Sequence, residues 1–529
     1  MATAAQLLRR AAVGAGVVAV GGVGAFAHAA ETDVGTAARL LPPAAVRVAR
    51  DVAGVGAIVL DYQRSLRGLE PGSAARERAK AECHARSARR LRDLCFANGG
   101  IYIKLGQHVG QLDYLLPEEY VRTMRESMLD RCPTSTPADV RAIVEKDLGR
   151  PLEALYRSFD AAPLASASLA QVHAAETLEG VKVAVKVQHA GLRENSVVDV
   201  ATVQALVTAV RFVYPDFNYQ WLVDEIQANL PKELDFLHEA ANARECAANL
   251  RASPTGLGAR VEVPGVHDAL SSSRVLTMDF AEGVSPTDVG ALAGLGVRPG
   301  EVATLIARTF AEMTFIHGFV HCDPHEANML VRSEGGRARL VLLDHGLYRH
   351  IDDAFRINYA GLWESMIFAD EAGIKRHSES LNAGELYPLL ACMLTAKPWS
   401  QIMRKDINHL TADGTAEERQ TIQDGVVTYF GYINQLLGEV PRELLLLLKT
   451  NDCLRAVDSA LGQPVNNYII TARQCSKALS EVRATSTLTA FFALRDRLAI
   501  EFRLFALRLL AWGAAFSRAE PPAGAAGLV

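Results

Sequence analysis

The sequence predicts an α+β fold. A small sheet-bearing region is preceded by a helical extension and followed by a larger helical region. Three observations predict it. Val181-Lys182-Val183-Ala184-Val185-Lys186 reads as a strand that ends in a lysine. Val320-His321-Cys322-Asp323-Pro324-His325-Glu326-Ala327-Asn328 holds an aspartate and an asparagine five positions apart. Leu340-Val341-Leu342-Leu343-Asp344-His345-Gly346 is an apolar strand that runs into Asp-x-Gly. The segments around these three are dominated by helix formers.

At 529 residues the chain is long enough for two or three domain-sized cores. Hydrophobic residues make up 49% and charged residues 22%, which excludes wholesale disorder. A net charge of -5 gives no support to nucleic-acid binding, so no nucleic-acid partner is expected. Eight cysteines (Cys83, Cys95, Cys132, Cys246, Cys322, Cys392, Cys453 and Cys475) lie far apart with no CxxC pair. That spacing argues against a disulfide framework and against a zinc ribbon.

Residues 1–30 stand apart. They contain Arg9 and Arg10 and no acidic residue, as organelle-targeting segments do. Ala11 to Ala30 is also an uncharged run of 20 residues, long enough to span a bilayer. A presequence, a membrane anchor and a cleaved secretory signal all remain open. Residues 31–137 read as a helical extension. Ala74 to Leu94 is rich in helix formers, and Asn98-Gly99-Gly100 breaks the helix. Pro117 followed by Glu118 and Glu119 suits the first turn of another helix. Pro133 to Pro137 is a polar, proline-bearing boundary.

Residues 138–283 form the sheet-bearing region. Ala138 to Leu148 reads as a helix, and Leu169 to Ala175 pairs with Val181 to Gln188 around Leu178-Glu179-Gly180. Helices are expected over Ser196 to Tyr214 and Tyr219 to Asn229, with Pro231 starting another over Lys232 to Asn249. Arg274 to Phe280 is a strand. Residues 284–518 are expected to be helical apart from a strand pair around the two aspartate segments. Leu504 to Phe516 reads as a packed helix, too short to span a membrane. Residues 519–529, rich in Pro, Gly and Ala, are expected to be disordered.

In their order along the chain, the three opening segments are the parts of a kinase-type phosphoryl-transfer site. Lys186 would meet the α/β-phosphates, and a solvent-facing edge lysine is the competing reading. Such a lysine needs a carboxylate on a helix, and Glu239 is the candidate; otherwise Glu233, Asp235 and Glu239 form a solvated acidic face. Asp323 stands where a base or proton acceptor for the attacking hydroxyl would stand. Asn328 and Asp344 offer hard oxygens to Mg²⁺. The density of His321, Cys322, Asp323 and His325 also invites Zn²⁺, but neighbouring residues rarely converge on one tetrahedral ion. No GxGxxG precedes the lysine strand. Leu164-Ala165-Ser166-Ala167-Ser168-Leu169 stands there instead, and alanine keeps backbone farther from phosphate than glycine does. No Ala-Pro-Glu and no evident activation loop follow Gly346.

With these motifs in place, residues 35 to 515 resemble the aarF/ABC1/UbiB family of atypical kinases. Lys104-Leu105-Gly106-Gln107 matches its KxGQ motif, and Ala165, Ser166, Ala167 and Ser168 match its alanine-rich loop. Lys186 matches the phosphate lysine, and Glu233-Leu234-Asp235 matches ExD. Asp323, Asn328 and Asp344 complete the set. The resemblance implies an atypical two-lobed protein-kinase-like fold whose N-terminal helical extension lays KxGQ over the active site. Lys104 and Gln107 would then lie opposite Glu233 and Asp235. It implies ATP and Mg²⁺ as cofactors, with Met278 and Phe280 joining the alanine-rich loop and Lys186 in nucleotide binding. It also implies a role in mitochondrial lipid homeostasis and cristae organisation. Expected partners are mitochondrial membrane lipids, a small lipid-like acceptor and mitochondrial membrane proteins. The flanking charges put the kinase domain in the intermembrane space at the inner membrane. A nucleotide-binding pseudokinase scaffold at the mitochondrial membrane is the alternative function.

One departure bears on turnover rather than on nucleotide binding. The family often reads His-Pro-Gly-Asn where this chain has His325-Glu326-Ala327-Asn328. A glycine there with positive φ would make Ala327 cost about 1 kcal/mol.

Overall fold

A computed structural model describes residues 34–110, 116–128, 132, 134–214, 220–404, 432–433 and 435–483. Residues 1–30, Leu504 to Phe516 and the tail from 519, on which targeting or anchoring, a packed helix and disorder were read, lie outside the described residues. The chain divides into two units. The first takes residues up to Glu245, Val263–Ala281 and Asp344–Leu347. The second takes Cys246–Glu262, Glu282–Leu343 and the chain from Tyr348 onward.

The first unit begins with helices α1 (Val34–Ser65), α2 (Ala74–Asn98), α3 (Ile101–Val109), α4 (Glu118–Met128) and α5 (Pro137–Leu148). Ser73 caps α2 and Thr136 caps α5, each side-chain oxygen accepting a backbone N–H of the first turn. Strands β1 (Tyr156–Phe159), β2 (Ala165–Ser166), β3 (Ala170–Thr177) and β4 (Lys182–Gln188) follow. Then come α6 (Leu192–Val213), α7 (Gln220–Glu233) and α8 (Phe236–Ala252), whose last residues pass into the second unit.

Strands β5 (Val261–Glu262) and β6 (Val275–Asp279) come next, and β6 closes the sheet of the first unit in the order β1-β3-β4-β6, with β2 on β3. Strand alternation decides which way β4 faces. Val183, Val185 and Val187 are fully buried against Val140, Val144 and Leu155, so Ala184 and Lys186 must face the other side. On that side Lys186 stands opposite Leu276 and Ala184 opposite Met278.

A second core in this unit holds the extension. Ile101, Tyr102, Ile103, Val109 and Met124 pack with Leu169, Leu192, Leu230 and Leu234. Beside it lies a buried polar network. Asp51 accepts hydrogen bonds from Asn98 and from the Tyr102 hydroxyl, and Arg47 pairs with Asp199.

The second unit contains β5, α9 (Val289–Gly294), α10 (Pro299–Glu312), β7 (Phe319–His321), β8 (Met329–Glu334), β9 (Arg337–Leu342) and β10 (Tyr348–His350). Helices α11 (Asp353–Ile367), α12 (Glu371–Glu379), α13 (Tyr387–Thr395), α14 (Trp399–Ile402), α15 (Arg442–Ala460) and α16 (Asn467–Arg483) complete the described part. It holds more strand than the expected pair: β5-β9-β8 form one sheet and β10-β7 another. The additional pairings join residues distant in sequence, such as Val261 with Leu340, and so leave no local signal. A π-helical turn over Met313–His317 ends at Gly318, whose φ of 65° is left-handed and where a Cβ would stand 3.0 Å from the Ile351 carbonyl. That tight step delivers the chain into β7 and the aspartate loop.

The helix expected to start at Pro231 does not start there. Pro231 lies inside the last turns of α7, and the break comes at Leu234 and Asp235. The Asp235 side chain accepts from the Leu237 N–H at 3.1 Å and opens α8. The proline forfeits one helical hydrogen bond but fits the helical φ, so α7 continues past it.

Burial raises the Asp51 carboxyl to about 7, its side-chain hydrogen bonds only partly opposing. Its folded pKa then lies above its unfolded value, so its contribution to stability is present at low pH and is lost as pH rises from about 4 through 7. Thermal denaturation between pH 5 and 8 should show a midpoint that falls with pH in wild type and falls less in Asp51→Asn. Equal slopes would disprove the assignment.

Candidate active site

In the first unit, three chain segments converge on one ammonium. Lys186 Nζ lies 2.8 and 2.9 Å from the two carboxylate oxygens of Glu239 and 3.3 Å from Asp344 Oδ2. The Lys186 side chain is 14% exposed and that of Glu239 4%. Burial opposes the charge on Lys186, but the carboxylates of Asp344 and Glu239 more than offset it and hold the ammonium above its ordinary value. The Phe236 ring, one turn before Glu239 on α8, packs 5.2 Å from the ammonium. Between Lys186 and Glu239 the chain inserts α6 and α7, which accounts for their separation of 53 positions.

The Asp344-His345-Gly346 turn is fastened to the same helix. Asn242 donates to the His345 carbonyl at 2.9 Å, and the Gly346 N–H donates to Asp344 Oδ1 at 2.9 Å. A Cβ on Gly346 would stand 3.1 Å from that oxygen, so glycine lets the turn close on its own carboxylate. The Asp344 side chain is 41% exposed, within reach of a hydrated cation.

The family-type motifs take up distinct positions. Lys104 on α3 pairs with Glu233 at the end of α7, 3.2 Å apart. Gln107 lies one helical turn on, partly buried. Asp235 opens α8, its carboxylate accepting from the Leu237 N–H. The junction thus divides its carboxylates: Glu233 to Lys104, Asp235 to the helix start, and Glu239 to Lys186.

The alanine-rich loop makes a tight turn without positive φ. Ala165 and Ser166 form β2, and the Ala167 N–H donates to the Ala170 carbonyl at 2.8 Å. His189 clasps it from below, its N–H on the Leu169 carbonyl at 3.0 Å and its ring on the Ala167 carbonyl at 2.9 Å. Ser168 is buried. Met278 is half-buried beside the cluster of Ala170, Phe236, Ala240 and Leu276. Phe280 is half-buried and carries the Lys182 ammonium 3.8 Å over its ring.

In the second unit, Asp323 follows β7. Its backbone N–H donates to His321 Nδ1 at 3.1 Å, and its carbonyl accepts from Asn328 Nδ2 at 3.0 Å. The Leu343 N–H donates to the Asn328 carbonyl at 3.0 Å. Asp323 Oδ1 lies 2.9 Å from Lys449 Nζ, and Oδ2 lies 3.6 Å from His325 Nε2.

Ala327 sits in a single 3₁₀ turn over Glu326–Asn328 and is absent from the residues of positive φ. The expected strain therefore does not arise: this turn needs no left-handed residue. The Glu326 carboxylate accepts a hydrogen bond from Thr287. Zn²⁺ gains no support, since no group of three or more His, Cys, Asp or Glu side chains among the described residues could hold a metal ion. Burial pushes the Cys322 thiol up to about 12, far from the thiolate that zinc takes.

Sequence reasoning missed Phe236, Asn242 and Lys449. For the first two there was no signal beyond helical spacing. Lys449 had one: it directly follows five leucines, Leu444 to Leu448.

Breaking the Lys186–Glu239 pair from one side leaves a buried charge, at a cost of about 3 kcal/mol. Lys186→Met should therefore lower unfolding free energy by about that amount. Lys186→Met with Glu239→Gln should recover part of it in denaturant titrations. No recovery would show that the pair is not the source.

Residues 127–378 match the ABC1 atypical kinase-like domain. A putative ABC1 protein of Arabidopsis thaliana is 44% identical over 94% of this chain and 95% of its own length. AarF domain-containing protein kinase 1 of Mus musculus is 44% identical over 83% of this chain and 82% of its own. The Drosophila melanogaster AarF domain-containing kinase 1 is 39% identical over 79% of each. Similarity of this depth, extending through the lysine strand, the aspartate loop and the Asp-x-Gly turn, decides the family: the chain belongs to the ABC1 (AarF-domain) atypical kinases and has their kinase-like fold.

Proposed function

We propose that this protein is an ATP- and Mg²⁺-dependent atypical kinase or ATPase of the mitochondrial membrane. The observation that carries the reading is the Lys186 ammonium held by Glu239 and Asp344. Kinase-like sites use such a lysine on nucleotide phosphates, and the pairing fixes its rotamer in advance. Asp344 and Asn328 would hold Mg²⁺, and both offer the hard oxygens it prefers. The ion supplies positive charge to the phosphate oxygens. Asp323 orients the acceptor hydroxyl, or a water, and receives its proton.

The acceptor in this reading is a small lipid-like molecule or only water, and the role is in lipid homeostasis and cristae organisation. Family membership supports it, as does the acid-free, Arg-bearing start followed by a 20-residue uncharged run, which suits a mitochondrial address and an inner-membrane anchor. By the same charges the kinase domain faces the intermembrane space. Membrane lipids and mitochondrial membrane proteins are the corresponding partners. A nucleotide-binding scaffold without turnover is the second reading, favoured by the alanine loop that replaces phosphate-cradling glycines.

The test is Mg²⁺-dependent nucleotide binding and ATP hydrolysis by the purified protein, with and without vesicles of mitochondrial-type lipids. Lys186→Ala and Asp344→Asn should each lose hydrolysis, and Asp323→Asn should abolish turnover while retaining binding. Binding without hydrolysis in wild type would establish the scaffold. Full hydrolysis by Asp323→Asn would remove the role given to that residue.

A further inference from the structure

Lys449 lies on the leucine-rich face of α15. Leu444, Leu446, Leu447, Leu448 and Thr450 around it are all buried, and its own side chain is 13% exposed. An ammonium in such surroundings needs a partner, since an unpaired buried charge is prohibitively costly. Its partner is Asp323 Oδ1, 2.9 Å away, on a side chain that is 16% exposed.

The helix is fixed at this spot by its neighbouring residues. Asn451 Nδ2 donates to the Tyr359 hydroxyl at 3.1 Å. Six residues earlier, Glu443 pairs with Arg349 of β10 at 2.7 Å. Lys449 is therefore a built-in position beside the aspartate loop, unlike a surface lysine that reaches over apolar neighbours to water.

We propose that Lys449 is a further catalytic residue of the phosphoryl transfer proposed above, on which this inference rests. In the resting protein its ammonium holds Asp323. With a nucleoside triphosphate bound, it donates hydrogen bonds to the oxygens of the phosphoryl group being transferred, and Asp323 is released to act on the acceptor. The acceptor oxygen forms a bond to the γ-phosphorus. The bond from that phosphorus to the bridging oxygen breaks, and its electron pair leaves with the nucleoside diphosphate. The acceptor's proton passes to the Asp323 carboxylate. Lys449 keeps its protons and stabilises the charge on the equatorial oxygens, where the transition state concentrates it. This arrangement also gives a role to a charge that directly follows a run of five leucines.

The experiment compares wild type, Lys449→Met and Lys449→Arg for turnover of Mg²⁺-ATP and for affinity toward ATP and ADP. Lys449→Met should lower kcat by roughly 10²-fold. Its affinity for ADP, which lacks the transferred group, should stay at the wild-type value, while its thermal midpoint falls because Asp323 is left without its cation. Lys449→Arg keeps the charge and should recover part of kcat. Undiminished kcat in Lys449→Met would overturn the role of Lys449 alone. Loss of ADP affinity in parallel with kcat would also overturn it, in favour of a packing role. A wild-type protein that binds ATP without turning it over would remove the phosphoryl-transfer reading, and this inference with it.

Discussion

The first unit is organised around an ammonium that must be kept out of water without being left unpaired. Lys186 reaches its position because Val183, Val185 and Val187 claim the opposite face of β4 for the core. That leaves the lysine on the face shared with Leu276 and Phe236, where solvent compensates little of its charge. Two carboxylates then have to be supplied from elsewhere. Glu239 comes from the first turn of α8 and Asp344 from a turn more than a hundred residues further on. Each is braced by a second contact: the His345 N–H donates to Glu239 Oε1 at 3.5 Å, and the Gly346 N–H closes on Asp344 Oδ1. The cluster therefore imposes an orientation on a helix and a conformation on a turn, in addition to offering a charge to phosphate.

The short break between α7 and α8 carries much of the remaining logic. Three carboxylates within seven residues would repel one another if all faced the same way. The break sends Glu233 to Lys104, gives Asp235 to the start of α8 and leaves Glu239 to Lys186. Through the first of these pairings the extension is tied to the sheet-bearing region by a charge as well as by its apolar core. Removing Lys104 would thus alter more than a surface, because Glu233 is itself buried at 8% side-chain exposure.

The second unit meets the same electrostatic problem at Asp323. The carboxylate follows a fully buried strand, and the loop after it turns in a single 3₁₀ step held by the Asn328 side chain and backbone. An aspartate this enclosed needs a cation nearby, and α15 provides Lys449. Ala327 brings no left-handed strain for a local reason: no residue of the 3₁₀ turn over Glu326–Asn328 has positive φ, so the turn needs no glycine.

Much of the fold was legible before any coordinates. The pairing of β3 with β4, the lysine on β4, the helix break at Gly99 and the Asp-x-Gly after β9 all follow from local rules: alternation, turn residues and the loss of helical propensity. Motif spacing likewise pointed to Lys186, Glu239, Asp323, Asn328 and Asp344. Where local rules compete the reading slipped: Pro231 suits both a first turn and a last turn, and only the demands of packing at Leu234 and the cap at Asp235 place the break. Partners distant in sequence were beyond reach for the same reason. Nothing near Asp323 names Lys449, and nothing near Val261 names Leu340. The sequence by itself determined which residues carry charge and which strands and helices present them, because those depend on neighbours a few positions away. Tertiary structure alone decided which opposite charges meet, because pairing a buried ion is settled by whichever distant element packs against it.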